Sequence, residues 1–293
     1  MSFLTSKLST VTRKFPWLVD LLRKILPLSL KRKIGAALLP SNPTGVVKAN
    51  DGREFVSIPD RLFLQVVYDG IFEPSLSNFI NNTISKGDVS VDVGSNFGWF
   101  ATLMAQKCDK VICYEPGNRI EKIFRQNVKL NKQEEIVEIR KLAVGAEEGS
   151  AQFVIEGDEA RESALGYVGA ATSPDETNNT ETVNIVRLDK DLEKYKNKIS
   201  LIKMDAEGFE HYAFKGALDL LSCDNPPVII TEANRETLER SGTTREALCK
   251  ELLDLNYTLY GMTAKGELYK DDRKAPALAG VPARGKFKSR IKV

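Results

Sequence analysis

Apolar residues in this chain fall into short runs cut by polar turns, and the runs switch between a two-residue and a helical period. Val46-Val47-Lys48 and Glu54-Phe55-Val56 flank Asp51-Gly52, which predicts a hairpin over residues 46–58. Beyond Gly70-Ile71-Phe72-Glu73-Pro74 a helix is expected to about Ile84, and Lys86-Gly87-Asp88 turns the chain into the strand Val89–Val93. Phe100, Leu103 and Met104 then recur at helical spacing, and Val111–Tyr114 returns as a second strand. A helix from Arg119 to about Leu130 follows. Val137–Arg140 reads as a third strand running on into Leu142-Ala143-Val144, with a turn at Gly145–Gly149 and a return at Ala151–Ile155.

Residues 156–182 are polar and rich in Gly, Ser, Thr and Asn, too long for an ordinary connector and typical of loops that shape a substrate pocket. Val183–Val186 is a further strand. Leu201–Met204 and Val228–Thr231 read as the fourth and fifth core strands. A helix from Glu210 to Leu221 follows the fourth, and one over Thr244–Leu255 follows the fifth. Tyr257–Met262 and Glu267–Tyr269 close as a hairpin. Alternating strands and helices predict an α/β domain on a mostly parallel sheet with right-handed crossovers.

Composition narrows the class. A 42% hydrophobic and 28% charged chain of 293 residues is that of a globular protein with one large domain and extensions. Four cysteines without a CxxC pair and a single histidine argue against a zinc cluster or a disulfide framework, which makes a reducing, cytoplasmic setting the default. Charge is uneven. Residues 1–35 carry eight Lys/Arg against Asp20, residues 273–293 carry seven and no acid, and the chain between them is acidic. The division this suggests is a basic amphipathic helical extension over 1–45, a catalytic domain over 46–270 and a basic flexible tail over 271–293. Trp17, Leu18, Leu21, Leu22 and Ile25 share one helical face opposite Asp20, Arg23 and Lys24. Two readings of residues 15–35 stay open: helices packed on the main domain, or a peripheral membrane contact. The run is far short of the ~20 apolar residues a membrane span needs. The tail lacks interleaved aromatics beyond Phe287, so no nucleic-acid partner is expected, and oligomeric state is left open.

The turn between the first two core strands carries the candidate chemistry. It reads Asp92-Val93-Gly94-Ser95-Asn96-Phe97-Gly98, and the second strand ends in Glu115-Pro116. This is the opening βαβ of a nucleoside site, with glycines at a helix N-terminus and a carboxylate placed for ribose hydroxyls. A dinucleotide site carries a further glycine where Asn96 stands. S-adenosylmethionine has no phosphates and suits this turn better, while an NAD-dependent oxidoreductase remains the alternative.

The ordered set DVGSNFGWF, YEP, LAVGAEEGSAQF, LIKMDAEGFEHYAFKGA and PPVIITEAN, with Gly70-x-Phe72-Glu73-Pro74 upstream, resembles the FkbM-type family of S-adenosylmethionine-dependent methyltransferases over about residues 46–262. The resemblance implies a class I methyltransferase (Rossmann-like) fold with a seven-stranded sheet ending in an antiparallel hairpin. It also implies O-methylation of a hydroxylated acceptor such as a sugar, glycan or glycosylated metabolite, with a lipid, polyketide or protein acceptor as the alternative. Gly94, Ser95, Asn96 and Gly98 would then cradle the cofactor, and Asp92 would orient that loop or meet the ammonium. Glu115 with Pro116 would hold the ribose, Ala143 and Val144 would lie near the adenine, and Glu73 would join the cofactor site.

Deprotonation of the acceptor leaves three arrangements open. Asp205 or Glu207 acts as base; His211 does; or a divalent metal such as Mg²⁺ sits among Asp205, Glu232 and Asn234, as acids and an asparagine do in metal-dependent O-methyltransferases. Asp224-Asn225-Pro226-Pro227 is similar to an amino-methyltransferase signature, but it precedes the fifth strand and is read as a turn.

Overall fold

The structure, a computed structural model, describes residues 45–58, 63–155, 166–169, 180–270 and 275–291. Residues 1–44, and with them the amphipathic segment 15–35, lie outside the described residues. Two compact units part between Glu73 and Pro74.

The N-terminal unit contains the hairpin that Asp51-Gly52 announces. β1 (Val46–Lys48) pairs antiparallel with β2 (Glu54–Val56), Val47 opposite Phe55. Arg53 is buried and its Nε donates to Asp51 Oδ2 at 2.8 Å, which ties the turn to its own strand. A short helix, α1 (Phe63–Asp69), ends at Gly70, where a Cβ would sit 2.1 Å from Asn50 Oδ1.

The larger unit is an open α/β sheet. Its helices are α2 (Pro74–Thr83), α3 (Trp99–Met104), α4 (Asn118–Leu130), α5 (Leu188–Asp191), α6 (Glu210–Lys215), α7 (Leu218–Leu221), α8 (Arg235–Arg240) and α9 (Arg245–Asp254). Five strands run parallel, in the spatial order β5 (Val137–Arg140), β4 (Lys110–Tyr114), β3 (Val89–Val93), β10 (Ile199–Met204) and β11 (Val228–Glu232). These are the five core strands expected from the apolar runs. β10 is buried along its whole length and β3, β4 and β11 along all but one residue, so these strands are mainly apolar, while β5 (Val-Glu-Ile-Arg) is mostly half-buried at the sheet edge.

The expected hairpin is present as β12 (Tyr257–Met262) and β13 (Leu268–Lys270), but it does not join β11 directly. β14 (Ala277–Pro282) runs antiparallel to both and sits between β11 and β12, which gives eight strands and not seven. The segment read as a flexible tail thus contains a central strand. Its small residues are the reason for both facts. Gly280 lies against Tyr257 and Ile229, where a Cβ would find atoms at 3.2 and 3.4 Å, and the same Ala/Gly/Pro composition reads as a linker in one dimension. Beyond β14, Phe287 is buried, Arg284 donates to the Ser222 carbonyl at 2.6 Å, and Arg290 reaches Asp88 at 2.6 Å.

Two further expectations change. Val137–Val144 is two strands: β5 joins the large sheet, while β6 (Ala143–Val144) enters a second, four-stranded sheet in the order β6, β9 (Thr180–Val186), β7 (Gly149–Ile155), β8 (Gly166–Val168). The polar stretch 156–182 contributes β8 and the start of β9 to that sheet. The helix expected over Glu210–Leu221 breaks at Gly216, where a Cβ would meet the Gly145 carbonyl at 2.0 Å. Among the described residues no helix is long and apolar enough to cross a membrane.

Candidate active site

β3 ends at Val93, and the glycine turn follows at the carboxyl edge of the parallel sheet, where ligands collect in such folds. Gly94 and Gly98 have φ of +71° and +85°. Their lack of a side chain serves the protein's own packing. A Cβ on Gly94 would lie 1.8 Å from the Asp205 carbonyl oxygen, and one on Gly98 would lie 2.1 Å from the Phe124 ring. Gly94 therefore lets the loop after β3 touch the turn after β10.

The backbone donors of this loop are engaged internally. The amides of Gly94 and Ser95 both donate to the Tyr114 carbonyl (2.9 and 3.1 Å), and that of Asn96 donates to Glu115 Oε2 at 2.8 Å. Phe97 N–H is held by Asn96 Oδ1 at 2.7 Å and Gly98 N–H by the Ser95 carbonyl at 2.8 Å. Five consecutive N–H groups are thus already paired, which leaves this stretch with none to offer a pyrophosphate.

Glu115 carries the opposite polarity. It is buried, and its two oxygens accept from Asn96 N–H and Gly117 N–H (2.8 and 3.0 Å), so the carboxyl group is fixed in orientation at the end of β4. Each oxygen keeps a second lone pair suited to a hydroxyl. Burial pushes its pKa up from 4.5 to about 7, against the two amides, which hold it down. A rigid carboxylate at this strand end is suited to the two hydroxyls of a ribose. Pro116 is buried behind it.

Asp92 and Lys203 are register partners on β3 and β10, so their side chains share one face of the sheet. Both are buried. Lys203 Nζ lies 3.5 Å from Asp92 Oδ1 and 3.2 Å from Asp205 Oδ2, and it donates to the Gly94 carbonyl at 3.0 Å above the Phe100 ring. Asp92's oxygens have no hydrogen-bond partner among the described residues, and burial, ahead of the Lys203 charge that opposes it, raises its pKa. Ser95 Oγ donates to the Asp92 carbonyl at 2.8 Å.

Past β10 the chain turns tightly through Asp205-Ala206-Glu207-Gly208, with φ of 52° at Glu207 and 99° at Gly208. Glu210, the first residue of α6, is fully buried and braces this turn: its Oε1 accepts from Ala206 N–H (2.6 Å) and Gly208 N–H (3.3 Å). Burial, with the Asp205 charge next, lifts its pKa to about 7. Asp205, Glu210 and Glu232 each offer a carboxylate oxygen, all within 4.8 Å of one another.

The remaining expected residues divide. Asn234 caps α8, its Oδ1 accepting from Glu236 N–H at 3.0 Å, and the third acid beside Asp205 and Glu232 is Glu210, which the sequence reading did not name. His211 Nδ1 lies 2.8 Å from Glu251 on α9 and edge-on to Tyr212, outside the acidic group. The Glu207 carbonyl accepts from Arg240 Nη2 at 3.0 Å. Ala143 and Val144 are buried in two apolar clusters. Glu73 belongs to the N-terminal unit, where its N–H is held by Gln65 Oε1 at 3.0 Å.

Lys203 and Glu210 were not read from the sequence as site residues. Both had a signal: a lysine inside the apolar strand Leu201-Ile202-Lys203-Met204, and an acid opening a helix straight after a glycine turn.

The sequence model described as the Methyltransferase FkbM domain matches residues 92–259. No curated protein matches the chain. Among solved structures, one similar to this chain is the methyltransferase FkbM from Methylobacillus flagellatus KT, at 15% identity and a TM-score of 0.41 over 75% of this chain. That match spans 53% of the Methylobacillus protein, about half its length. An rRNA methylase from Streptococcus thermophilus (9% identity, 70% of this chain, 91% of that one, TM-score 0.41) is also similar. So is precorrin-6y C5,15-methyltransferase from Geobacter metallireducens GS-15 (10% identity, 70% and 84%, TM-score 0.38).

Proposed function

The chain belongs to the Methyltransferase FkbM domain family, and on that premise we propose that it is an O-methyltransferase acting on a hydroxyl of a sugar, glycan or glycosylated metabolite. The observation that carries the cofactor side of this reading is the pairing of all five amides from Gly94 to Gly98 next to the fixed Glu115 carboxylate. Such a half-site accepts a ribose and has no cradle for phosphates. S-adenosylmethionine supplies a methyl group activated by its sulfonium. Glu115 holds the ribose hydroxyls. Asp92, buried and only partly compensated by Lys203 at 3.5 Å, favours the ammonium end of the cofactor.

Asp205 is the base in this reading. Its side chain is partly exposed at 28%, at the end of β10, and Lys203 fixes one of its oxygens. The acceptor hydroxyl gives its proton to this carboxylate as its oxygen becomes a nucleophile. The sugar class rests on the family resemblance.

Calorimetric titration with S-adenosylmethionine and with NAD tests the reading. S-adenosylmethionine is expected to bind and NAD not to. Glu115→Ala is expected to weaken S-adenosylmethionine by about tenfold or more, the worth of a charge-assisted hydrogen bond. Asp205→Asn is expected to keep cofactor affinity and lose roughly 10²-fold or more in methyl transfer to a hydroxylated acceptor. NAD binding in place of S-adenosylmethionine overturns the cofactor assignment.

A further inference from the structure

We propose that Asp205, Glu210 and Glu232 form a binding site for one hard divalent cation of the Mg²⁺, Mn²⁺ or Ca²⁺ class. The three come from different elements that meet at the carboxyl edge of the sheet: the turn after β10, the first residue of α6 and the last residue of β11. One oxygen from each lies within 4.8 Å of the others. Three oxygens spread evenly around one cation lie apart by about 1.7 times the metal–oxygen distance, roughly 3.6 Å for Mg²⁺ and about 4.2 Å for Ca²⁺. A group whose oxygens lie within 4.8 Å of one another therefore needs only a small closure to hold an ion of this class. All-oxygen, all-anionic ligands select hard cations over Zn²⁺ or Cu²⁺.

Acids often gather without an ion, and the second observation is what separates this group from such cases. Glu210 is fully buried. Its Oε1 is taken by the Ala206 and Gly208 amides, and its Oε2 is buried with no hydrogen-bond partner among the described residues. A carboxylate oxygen placed out of water without a donor is costly unless a ligand meets it. The set differs from the one expected from sequence, in which Asn234 took the third place; that residue caps α8. Lys203 lies on Asp205 Oδ2, and with an ion bound Asp205 serves as a ligand while the ion takes over the activation of the acceptor hydroxyl that the metal-free reading gives to Asp205. The use of the ion, to hold and polarise the acceptor oxygen, rests on the methyl-transfer reading; its binding does not.

The test is a Mn²⁺ titration of the chelator-treated full chain, following free Mn²⁺ by electron paramagnetic resonance, with Mg²⁺ and Ca²⁺ as competitors. One Mn²⁺ per chain is expected. Glu210→Gln keeps a carbonyl for the two amides, so the turn is preserved, but it puts an NH₂ at the unpartnered position. It is expected to weaken Mn²⁺ at least about tenfold. Glu232→Gln is expected to do the same from another element. No uptake by the wild-type chain at millimolar Mn²⁺, with a shared proton then filling the gap, overturns the proposal; so does equal affinity in both variants. S-adenosylmethionine calorimetry on the same samples keeps the two readings apart. Cofactor binding without Mn²⁺ binding defeats only the cation, and Mn²⁺ binding without cofactor binding defeats only the methyltransferase reading.

Discussion

Lys203 is buried, in register with Asp92, and its ammonium bridges two carboxylates and a carbonyl. Removing its charge leaves Asp92 buried and uncompensated. Lys203→Met is therefore expected to cost about 3–5 kcal/mol in denaturant unfolding, and adding Asp92→Asn to recover most of it. Failure of the double variant to recover would show that Lys203 acts by packing alone. Glu115 makes a second prediction. Its carboxyl faces the Asn96 and Gly117 amides, with Lys203 and Asp92 as the nearby charges, and its pKa is raised to about 7 from 4.5. A raised acid means that the folded chain binds more protons than the unfolded one between these values. Ligand-free stability should then fall, by up to about 3 kcal/mol, as pH rises from about 4.5 through 7, and level off above. Glu210, raised to about 7 as well, adds a like fall, so Glu115→Gln is expected to remove about half of the slope in urea midpoints measured from pH 5 to 8. An unchanged slope would assign it to another group. Asp92, Glu115 and Asp205 were legible because each ends or interrupts an apolar strand at a position with a chemical meaning. The partner of Asp92 lies 111 residues later in the chain, and no local pattern marks that pairing.

Strands and helices with strong periodicity were legible at element scale, and those built from small residues were not. β14 packs between β11 and β12 because Ala277, Ala279 and Gly280 let neighbouring strands approach. Ending the chain after Lys270 removes the shared partner of β11 and β12. The truncated protein is expected to lose cooperative thermal unfolding by circular dichroism, where removal of a flexible tail would leave the melt unchanged. The break in the helix after Glu210 has a similar origin. Gly216 allows the Gly145 carbonyl to come close, and that contact belongs to the tertiary packing.

On the scale of the whole molecule, the basic C-terminal segment is a clasp on the larger unit. Arg284 holds the Ser222 carbonyl, Arg290 holds Asp88 below β3, and Lys286 and Arg290 flank the buried Phe287 ring. Its positive charge, read from composition as a property of a free tail, serves in part to secure the end of the chain. Three acids of the central region, Asp205, Glu210 and Glu232, gather at the carboxyl edge of the sheet.

The sequence by itself determined the alternation of strand and helix, the five parallel core strands, the glycine turn and the carboxylates that end strands. Each of these is written in local periodicity and turn chemistry, which act over a few residues. Only the tertiary structure decided the eighth strand, the Asp92–Lys203–Asp205 bridge, the internal engagement of the loop amides and the replacement of Asn234 by Glu210 in the acidic group. These depend on which distant segments approach within hydrogen-bonding distance, and that follows from how the sheet closes around its smallest residues.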